Sequence, residues 1–381
     1  MANKKIDISN PFIVHGYAGP EYFCDREKET QAIVSALHNG RNLTLIAPRR
    51  IGKTGLIHNV FHEIKRKEEG VLCIYLDIFA THCLQDFICA LGKGIFEELY
   101  SKGEKMLKEF TSLLGHCRPV ISVDALTGMP TVTFDIAPAA PEQTLSEIFT
   151  NIVKSGKRCF IAIDEFQQIA QYPEKGTEAA LRSHIQFMPK VNFIFAGSSR
   201  HLMAEMFVSA KRPFYNSTQI MSLQPIDRNS YFAFAAKFFK GKGGTLNREV
   251  FHYIYDVFDG GTWYVQTILN RLYNLNGEAD RQAAANSIRQ VVEENALVYQ
   301  TLTSLLPNQQ LNLLRAIAKE GIVTAPTNGS FIARYKLKAA STVNSALKTL
   351  MAKELIYKDE KGYMVYDRFL ALWLGSVQRM P

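Results

Sequence analysis

The 381-residue sequence lacks the features that mark several special classes of protein. It has no internal repeat and no low-complexity tract, and with 47% hydrophobic and 21% charged residues it can form packed cores, which excludes a disordered scaffold. Its six cysteines do not have metal-ligand spacing, so we interpret them as buried thiols. The first residues carry no apolar signal-peptide segment, and the apolar stretch at 369–377 is too short for a membrane span. We therefore expect a soluble, cytoplasmic protein.

Positive charge is in excess mainly near the C-terminal end of the sequence. The formal net charge is +8, and residues 300–381 hold eleven basic and five acidic residues, so +6 of that charge lies in this segment. A basic surplus permits a polyanionic partner without identifying one. The length of the chain indicates two or three domains.

Apolar runs separated by helical patterns predict a parallel sheet that is covered on both faces. We predict strands at 43–47, 71–77, 159–163 and 191–197. A helix is expected to begin at Lys53, directly after the first strand and its loop. Two β-rich arms on either side of residues 126–130 predict a hairpin at about 118–137.

The second half of the chain changes character. From residue 227 to about 299 the strand pattern stops, and helices interrupted by glycine-rich turns predict a small helical domain. Further on, two helices precede short β arms at 355–357 and 363–366, an order typical of a winged helix-turn-helix. We predict three domains: a core at 1–225 that includes the hairpin, a helical lid at 226–299 and a winged-helix domain at 300–381.

The junction between the first strand and the next helix reads Ala-Pro-Arg-Arg-Ile-Gly-Lys-Thr over residues 47–54. In such a junction the backbone amides and the helix N-terminus face a phosphate group. Gly52 lets the backbone approach the anion, the Lys53 ammonium would reach the β- and γ-phosphates, and the Thr54 hydroxyl would bind Mg²⁺. Ala47 stands where the G-x-x-x-x-G-K-S/T motif has its first glycine. By itself the motif leaves simple helix capping as an equal alternative.

Two adjacent carboxylates, Asp164 and Glu165, follow the third predicted strand. Because open parallel sheets bind ligands beyond the carboxyl ends of their strands, these acids are expected beside Lys53. Asp164 would orient Mg²⁺, and Glu165 would align or deprotonate the attacking water. Together with the phosphate loop, this favours nucleotide binding over a helix-capping pair. Ser198 and Ser199, after the fourth strand, either contact the water or γ-phosphate or serve as ordinary loop residues.

These residues together resemble the AAA+ ATPases, and more narrowly the archaeal-type ATPase family allied to the STAND NTPases. The segment Pro-Arg-Arg-Ile-Gly-Lys-Thr at 48–54 is similar to the family's phosphate loop, and Ile-Asp-Glu-Phe-Gln at 163–167 is similar to its Walker B motif. Residues 22–29 resemble its F-x-x-R-x-x-E motif near the adenine, Gly-Ser-Ser at 197–199 resembles its sensor strand end, and 212–215 resembles its P-F-Y segment.

The resemblance implies an α/β P-loop NTPase fold of AAA+ type, with a parallel sheet, a helical lid and a C-terminal winged helix-turn-helix domain. ATP and Mg²⁺ are the implied ligands, with Thr54 and Asp164 holding the metal and Glu165, Ser198 and Ser199 in catalytic roles. The implied nucleotide-binding residues are Phe23, Arg26, Pro48, Arg49, Arg50, Ile51, Gly52, Lys53, Thr54 and Gly55.

The sequence departs from the family pattern at the lid and after the P-F-Y segment. Gly260-Gly261-Thr262-Trp263 is similar to a G-G-x-P adenine contact but has no proline, and no arginine follows the P-F-Y segment closely enough to be assigned as a finger. Arg49 and Arg50 neutralise phosphate charge, pair with acids of the lid, or are solvated.

The basic C-terminal unit leaves two partner classes open, double-stranded DNA and protein. If Ser341 caps the second helix, the outward face of that helix offers donors to bases and phosphates. Acidic residues dilute the basic patch, and winged helices also bind proteins. The candidate DNA-binding residues are Arg334, Lys336, Lys338, Thr342, Asn344 and Lys348.

The leading hypothesis is an ATP-binding and ATP-hydrolysing protein that couples its nucleotide state to the position of the lid and winged helix. The alternative is a nucleotide-gated switch with negligible turnover that acts on a protein partner or on DNA. We expect no membrane partner, and self-association stays open.

Overall fold

The structure, a computed structural model, describes residues 8–100, 117–123, 130–136, 141–275 and 279–376. These residues form two compact units. The first contains the described residues up to Phe234 together with Gly260–Trp263, and the second contains Ala235–Asp259 and the described residues from Tyr264 onward. The domain boundaries expected near residues 225 and 299 stay a prediction.

A five-stranded sheet in the order β2-β5-β6-β1-β7 forms the centre of the first unit, and all its paired strands run parallel. The predicted parallel sheet is therefore confirmed. Its strands are β1 (Leu43–Ile46), β2 (Leu72–Asp77), β5 (Cys159–Asp164), β6 (Val191–Gly197) and β7 (Gln219–Ser222).

The apolar runs that predicted this sheet are buried on both faces, as parallel strands require. Every residue of β5 and β6 is buried. Side chains alternate between the faces, so Ile161 packs in one core cluster while Phe160 and Ala162 pack in the other. The site described below lies at the carboxyl ends of these central strands.

Strand β7 is a fifth strand that the sequence patterns did not predict. It pairs with β1, with Leu43 opposite Gln219, and lies at the edge of the sheet. Only four residues long and largely exposed, it lacks the apolar run that identifies the central strands.

The helices of the first unit cover the sheet. The helix predicted to begin at Lys53 is present, and its apolar residues are buried, among them Leu56, Ile57 and Val60. The helices are α1 (Glu27–His38), α2 (Lys53–Lys67), α3 (Leu84–Tyr100), α4 (Pro141–Lys154), α5 (Thr177–Ile185) and α6 (Arg200–Val208), with short 3₁₀ helices at Pro20–Tyr22 and Phe166–Gln171.

The predicted hairpin is present as an antiparallel pair, β3 (Cys117–Val123) and β4 (Pro130–Ile136). Cys117 pairs with Ile136 at one end and Val123 with Pro130 at the other. The predicted turn falls largely on residues 124–129, which lie outside the described residues.

The second unit is helical and ends in a winged helix. Helix α7 (Arg228–Gly241) begins in the first unit and ends in the second, and α9 (Thr262–Tyr273) begins at the segment that belongs to the first. The others are α8 (Arg248–Val257), α10 (Arg281–Glu294), α11 (Ala296–Ser304), α12 (Asn308–Glu320), α13 (Gly329–Arg334), α14 (Ala340–Ala352) and α15 (Arg368–Ser376).

The wing is the antiparallel pair β8 (Ile356–Lys358) and β9 (Tyr363–Val365), as predicted. Val323 adds an isolated antiparallel bridge to Tyr363, which ties the wing to the residues that follow α12. None of the helices within the described part of the chain combines the length and apolar character that crossing a membrane requires.

Candidate functional site

The loop between β1 and α2 has a backbone shape that suits anion binding. Gly52, the N-cap residue of α2, has φ +93°, a left-handed conformation that favours glycine, and Arg50 also lies in this region with φ +66°. Pro48 is partly exposed, and Ile51 is buried. Because a helix N-terminus leaves its first amides without intrahelical partners, the loop and the start of α2 at Lys53 offer N–H donors and positive potential.

Lys53 joins the loop to the end of β5. Its Nζ lies 3.2 Å from Asp164 Oδ1 and 3.2 Å from Glu165 Oε1, and the side chain is buried. Burial alone would lower the pKa of Lys53, but the two carboxylates outweigh it and raise this pKa above its ordinary value. The lysine is therefore held as a cation at the strand end.

Asp164 is 2% exposed and lies within a set of donors. Its Oδ2 accepts hydrogen bonds from Thr54 Oγ1 at 2.7 Å and from the Tyr75 hydroxyl at 3.2 Å. Burial alone would raise the pKa of Asp164, but the Lys53 cation and the Thr54 hydrogen bond hold it below its ordinary value. Asp164 is therefore an ionised carboxylate beside a hydroxyl, two oxygens of the kind that Mg²⁺ takes as ligands.

Glu165 has left-handed backbone, with φ +55°, and its carboxylate is held by three side chains. Lys53 contacts Oε1, while Oε2 accepts from Ser198 Oγ at 2.6 Å and from Gln167 Nε2 at 2.6 Å. These contacts fix the carboxylate beside the loop lysine and the end of β6. This position suits a group that orients or deprotonates a water molecule.

The two predicted serines have different surroundings. Ser198 contacts Glu165 and accepts a hydrogen bond from Arg49 Nε at 3.3 Å, whereas Ser199 is the N-cap residue of α6. The Arg49 guanidinium carbon also lies 5.4 Å from the centroid of the Phe79 ring. Arg49 and Ser198 thereby link the loop between β1 and α2 to Glu165.

Phe23 and Arg26, two of the predicted nucleotide-binding residues, lie just before α1. An ideal Cβ built on Gly55 would lie 3.4 Å from Phe23 Cε2, so this ring packs directly on the first turn of α2. Arg26 is buried, precedes α1 with φ +74° and donates to Glu29 Oε1 at 2.8 Å. The structure thus places Phe23 against α2, while Arg26 pairs with Glu29, three residues further along the chain.

Four residues make contacts with this site that sequence reasoning did not predict, although it had noted Thr262 and Trp263 as part of a segment similar to an adenine contact. Tyr75 donates to Asp164, and Gln167 donates to Glu165. Thr262 and Trp263, at the start of α9, contact the loop itself: the Trp263 amide donates to the Arg50 carbonyl at 2.9 Å. The signal for Gln167 was present in the Walker B resemblance, which includes this position.

Gly197, at the end of β6, leaves no space for a side chain. A Cβ there would lie 2.4 Å from Met203 Sδ and 2.5 Å from Gln167 Oε1, both in buried side chains. We expect Gly197→Ala to lower the free energy of unfolding by about 1–3 kcal/mol, because overpacking forces these side chains to move. Chemical denaturation measures the change. Gly375→Ala, whose Cβ would meet nothing within 4 Å, is the matched control and should not destabilise the protein; equal stability of the two variants would contradict this packing.

In the second unit, three of the predicted DNA-binding residues line one pocket of about 390 Å³. Lys336, Lys338 and Thr342 share it with three amide side chains from the first turns of α12. These are Asn308, Gln309 and Asn312. Sequence reasoning did not single out these amides, which can donate to and accept from nucleic-acid groups.

The other predicted residues of this set lie elsewhere on the same domain. Asn344 and Lys348 are exposed on α14, and the Arg334 guanidinium lies 2.8 Å from Glu320 Oε1. The expected cap at Ser341 is wrong, since α14 begins at Ala340 and its N-cap residue is Ala339.

Arg212, which precedes the P-F-Y segment, is held within its own chain. Its Nη2 lies 2.5 Å from Glu178 Oε1, and its Nη1 lies 3.7 Å from Glu205 Oε1. Burial of Glu178 raises its pKa even though Arg212 opposes the shift. In this structure the Arg212 guanidinium is therefore paired with two acids of its own chain.

Comparison with known families agrees with this arrangement. Residues 23–268 match a family described as "ATPase domain predominantly from Archaea", and residues 297–376 match one described as "Probable winged helix domain". A curated relative, an uncharacterized ATP-binding protein of Methanocaldococcus jannaschii, is 32% identical over 164 residues. That match covers 40% of this chain and 45% of the relative, so the chain spans about half the length of the relative.

Solved structures with a similar fold include three archaeal proteins. A Walker-type ATPase of Pyrococcus abyssi has a TM-score of 0.64 at 18% identity, over 96% of this chain and 99% of that one. The Aeropyrum pernix ORC2 protein has a TM-score of 0.59 at 13% identity, over 97% and 98%. The Aeropyrum pernix ORC1 protein in complex with DNA has a TM-score of 0.52 at 12% identity, over 98% of each chain. The AAA+-like fold with a C-terminal winged helix is thereby confirmed.

Proposed function

The chain belongs to the family of ATPase domains found predominantly in Archaea, and on that premise we propose that it binds MgATP and hydrolyses the β–γ phosphoanhydride bond. The observation that carries the proposal is the meeting of Lys53 with Asp164 and Glu165, both 3.2 Å away. A buried lysine at the start of a phosphate-loop helix, facing two acids at a strand end, is the arrangement that phosphoryl-transfer sites use.

Phosphate binding is assigned to the loop and to Lys53. The amides from Arg50 to Thr54 and the N-terminus of α2 provide donors and positive potential for the β- and γ-phosphates. The Lys53 ammonium, held as a cation by its two acids, would move onto phosphate oxygens when the nucleotide enters, exchanging one set of anions for another.

The residues present fit a hydrated Mg²⁺. Thr54 Oγ1 and Asp164 Oδ2 are oxygen donors 2.7 Å apart, and Asp164 is ionised. Magnesium binds proteins through one or two such oxygens plus substrate phosphates and water, and when bound it neutralises phosphate charge. We assign Thr54 and Asp164 to hold it.

Glu165 is assigned the task of orienting and deprotonating the attacking water. Ser198 and Gln167 fix its Oε2, so the carboxylate has a defined direction before nucleotide binds. Ser198 also connects it to Arg49 of the loop, which places the water-activating group and the phosphate-binding loop in one hydrogen-bonded set.

Coupling to the winged helix is supported by contacts within the second unit. Asp259, which directly precedes the Gly260–Trp263 segment, lies 3.3 Å from Lys361 Nζ in the wing and 3.5 Å from Arg368 Nη2 in α15. A rearrangement of the phosphate loop that moves Gly260–Trp263 would therefore also move Asp259, which forms ion pairs with the wing and with α15.

The alternative, a switch with negligible turnover, is distinguished by steady-state phosphate release. The proposal expects release above background from wild-type protein with MgATP, with or without double-stranded DNA. Tight MgATP binding without release in either condition would instead support the switch.

Double-stranded DNA binding is a second candidate function, favoured by the pocket that Lys336, Lys338 and Thr342 line together with amide side chains. Arg and Lys contacts to phosphates supply most of the affinity of such sites, and amides can read base edges. The similar fold of the ORC1 protein in complex with DNA supports the same hypothesis. A protein ligand on this face stays the competing reading.

We expect the double substitution Lys336→Glu/Lys338→Glu to weaken binding to duplex DNA at least roughly tenfold and to lower the salt slope by roughly two. Fluorescence anisotropy between about 50 and 200 mM salt measures both quantities. Lys319→Glu/Lys353→Glu changes the net charge equally at exposed lysines outside this pocket, and it should retain more affinity. Equal losses for the two variants, or binding that salt does not change, would contradict a DNA site here.

A further inference from the structure

Two residues that lie more than two hundred positions away in the sequence donate hydrogen bonds to carbonyls of the phosphate loop. The Thr262 hydroxyl donates to the Ile51 carbonyl at 3.1 Å, and the Trp263 amide donates to the Arg50 carbonyl at 2.9 Å. The Arg50 guanidinium carbon lies 4.2 Å from the centroid of the Trp263 ring. All four residues belong to the first compact unit.

These contacts act on the carbonyls of the loop, whose orientation decides whether it can bind an anion. A loop that cradles phosphate must direct its N–H groups at the ligand and turn its carbonyls away, because carbonyl oxygens repel an anion. The Trp263 amide is a first-turn donor of α9 and has no intrahelical acceptor, so the Arg50 carbonyl also satisfies this helix terminus.

The surroundings support both partners of these bonds. Arg50 has φ +66°, a conformation that a non-glycine residue keeps only where its neighbours hold it. On the other side, the hydroxyl of the fully buried Tyr231 donates to the Thr262 carbonyl at 3.3 Å. Stacking of a guanidinium over an indole ring adds attraction without blocking the guanidinium N–H groups in its plane.

We propose that Thr262 and Trp263 are positioning residues of the phosphate loop, holding the Arg50 and Ile51 carbonyls outward so that the loop is preformed for the polyphosphate of a nucleoside triphosphate. The proposal rests on the proposed function, since it assumes that this loop binds nucleotide. It also explains the departure at residue 263, because a proline there has no N–H to donate to Arg50.

The test compares MgATP affinity by calorimetry for wild-type protein and three variants. Thr262→Val removes the hydroxyl at nearly constant shape, and we expect about fivefold weaker binding. Trp263→Pro removes the amide donor and the ring and is expected to weaken binding about tenfold or more, whereas Trp263→Phe keeps the donor and an aromatic face and should stay within about threefold of wild type.

Two further measurements separate positioning from general stability. Thr301→Val removes an exposed hydroxyl that donates to the Leu297 carbonyl at 2.9 Å, and it should bind MgATP like wild type. In steady-state assays, Thr262→Val and Trp263→Pro should raise KM and leave kcat within about twofold, because a misplaced loop weakens the binding of substrate and transition state alike.

The outcomes are distinct. The proposal is supported if the wild-type protein binds MgATP, Thr262→Val and Trp263→Pro bind it more weakly, and Trp263→Phe binds it nearly as tightly as wild type. If the wild-type protein binds MgATP and the affinity of every variant stays within twofold of it, the positioning role is overturned and the proposed function stays intact. Absence of wild-type binding overturns the proposed function itself. A loss of affinity in Thr301→Val equal to that in Thr262→Val would overturn the positioning role of Thr262 and Trp263, since the effect would then be unrelated to the loop.

Discussion

Replacing Lys53 by alanine should reduce MgATP affinity at least about 100-fold, to below detection by calorimetry. Lys53 is the buried cation between the loop that follows β1 and the two acids at the end of β5, 3.2 Å from both Asp164 and Glu165. Without it, the phosphates of the nucleotide lose the one lysine cation that separates them from Asp164 and Glu165, and like charges in a partly desolvated site repel strongly.

The same substitution has a cost in stability that the experiment must control. Removing one partner of a buried ion pair leaves an uncompensated charge, which typically costs about 3–5 kcal/mol. Binding is therefore measured at a temperature below the midpoint of thermal unfolding of the variant, which circular dichroism reports. Lys67→Ala, at an exposed position near the end of the same helix, is the matched control and should bind MgATP like wild type. Wild-type affinity in folded Lys53→Ala would contradict the assignment.

The sign of the pH dependence follows from Asp164. Its pKa is held below the ordinary value of 3.8, so the stabilisation from its partners is fully present above that value. It is lost as the pH falls through the lowered pKa. In Lys53→Ala this acid-side loss of stability should be smaller than in wild type, because the main cation that lowers the pKa is gone.

Glu165→Gln should keep MgATP binding and reduce phosphate release about 10²–10⁴-fold. Glutamine preserves the shape of the side chain and can still accept a hydrogen bond, but it cannot take a proton from water. The carboxylate is held by Lys53, Ser198 and Gln167, so the lost base cannot be replaced by a small movement of another acid without breaking these contacts. Affinity is measured by calorimetry and turnover by phosphate release.

Glu174→Gln is the control for this prediction, since it makes the same chemical change at an exposed glutamate after the 3₁₀ helix that follows β5. It should release phosphate at the wild-type rate. Normal turnover by Glu165→Gln would remove Glu165 as the base. Loss of MgATP binding in this variant would instead mean that the carboxylate acts mainly in holding the site together.

The central sheet was predictable because its strands are buried on both faces, which requires continuous apolar runs. β5 and β6 carry such runs, and their ends also carry the acids and the serine of the site. The same reasoning failed for β7, where an exposed edge strand needs no apolar pattern and takes its place by pairing with β1.

The core of the site was predictable for a similar reason. The carboxyl ends of neighbouring parallel strands lie at one edge, so Lys53 and the acids at Asp164 and Glu165 were expected together. Thr262 and Trp263 were not predicted as loop contacts, because the bond from Thr262 to Ile51 joins residues 211 positions apart and no local pattern encodes it. The absence of proline at residue 263 was visible in the sequence. Only the structure shows its consequence, which is that the Trp263 amide donates to the Arg50 carbonyl.

Calorimetric titration of ATP into wild-type protein, with and without Mg²⁺, tests the central claim most directly. If the loop around Gly52 and the acids that end β5 form one nucleotide site, the titration shows a single saturable site per chain that binds more tightly with Mg²⁺. Folded protein that gives no saturable heat up to about 1 mM ATP in either condition would contradict it.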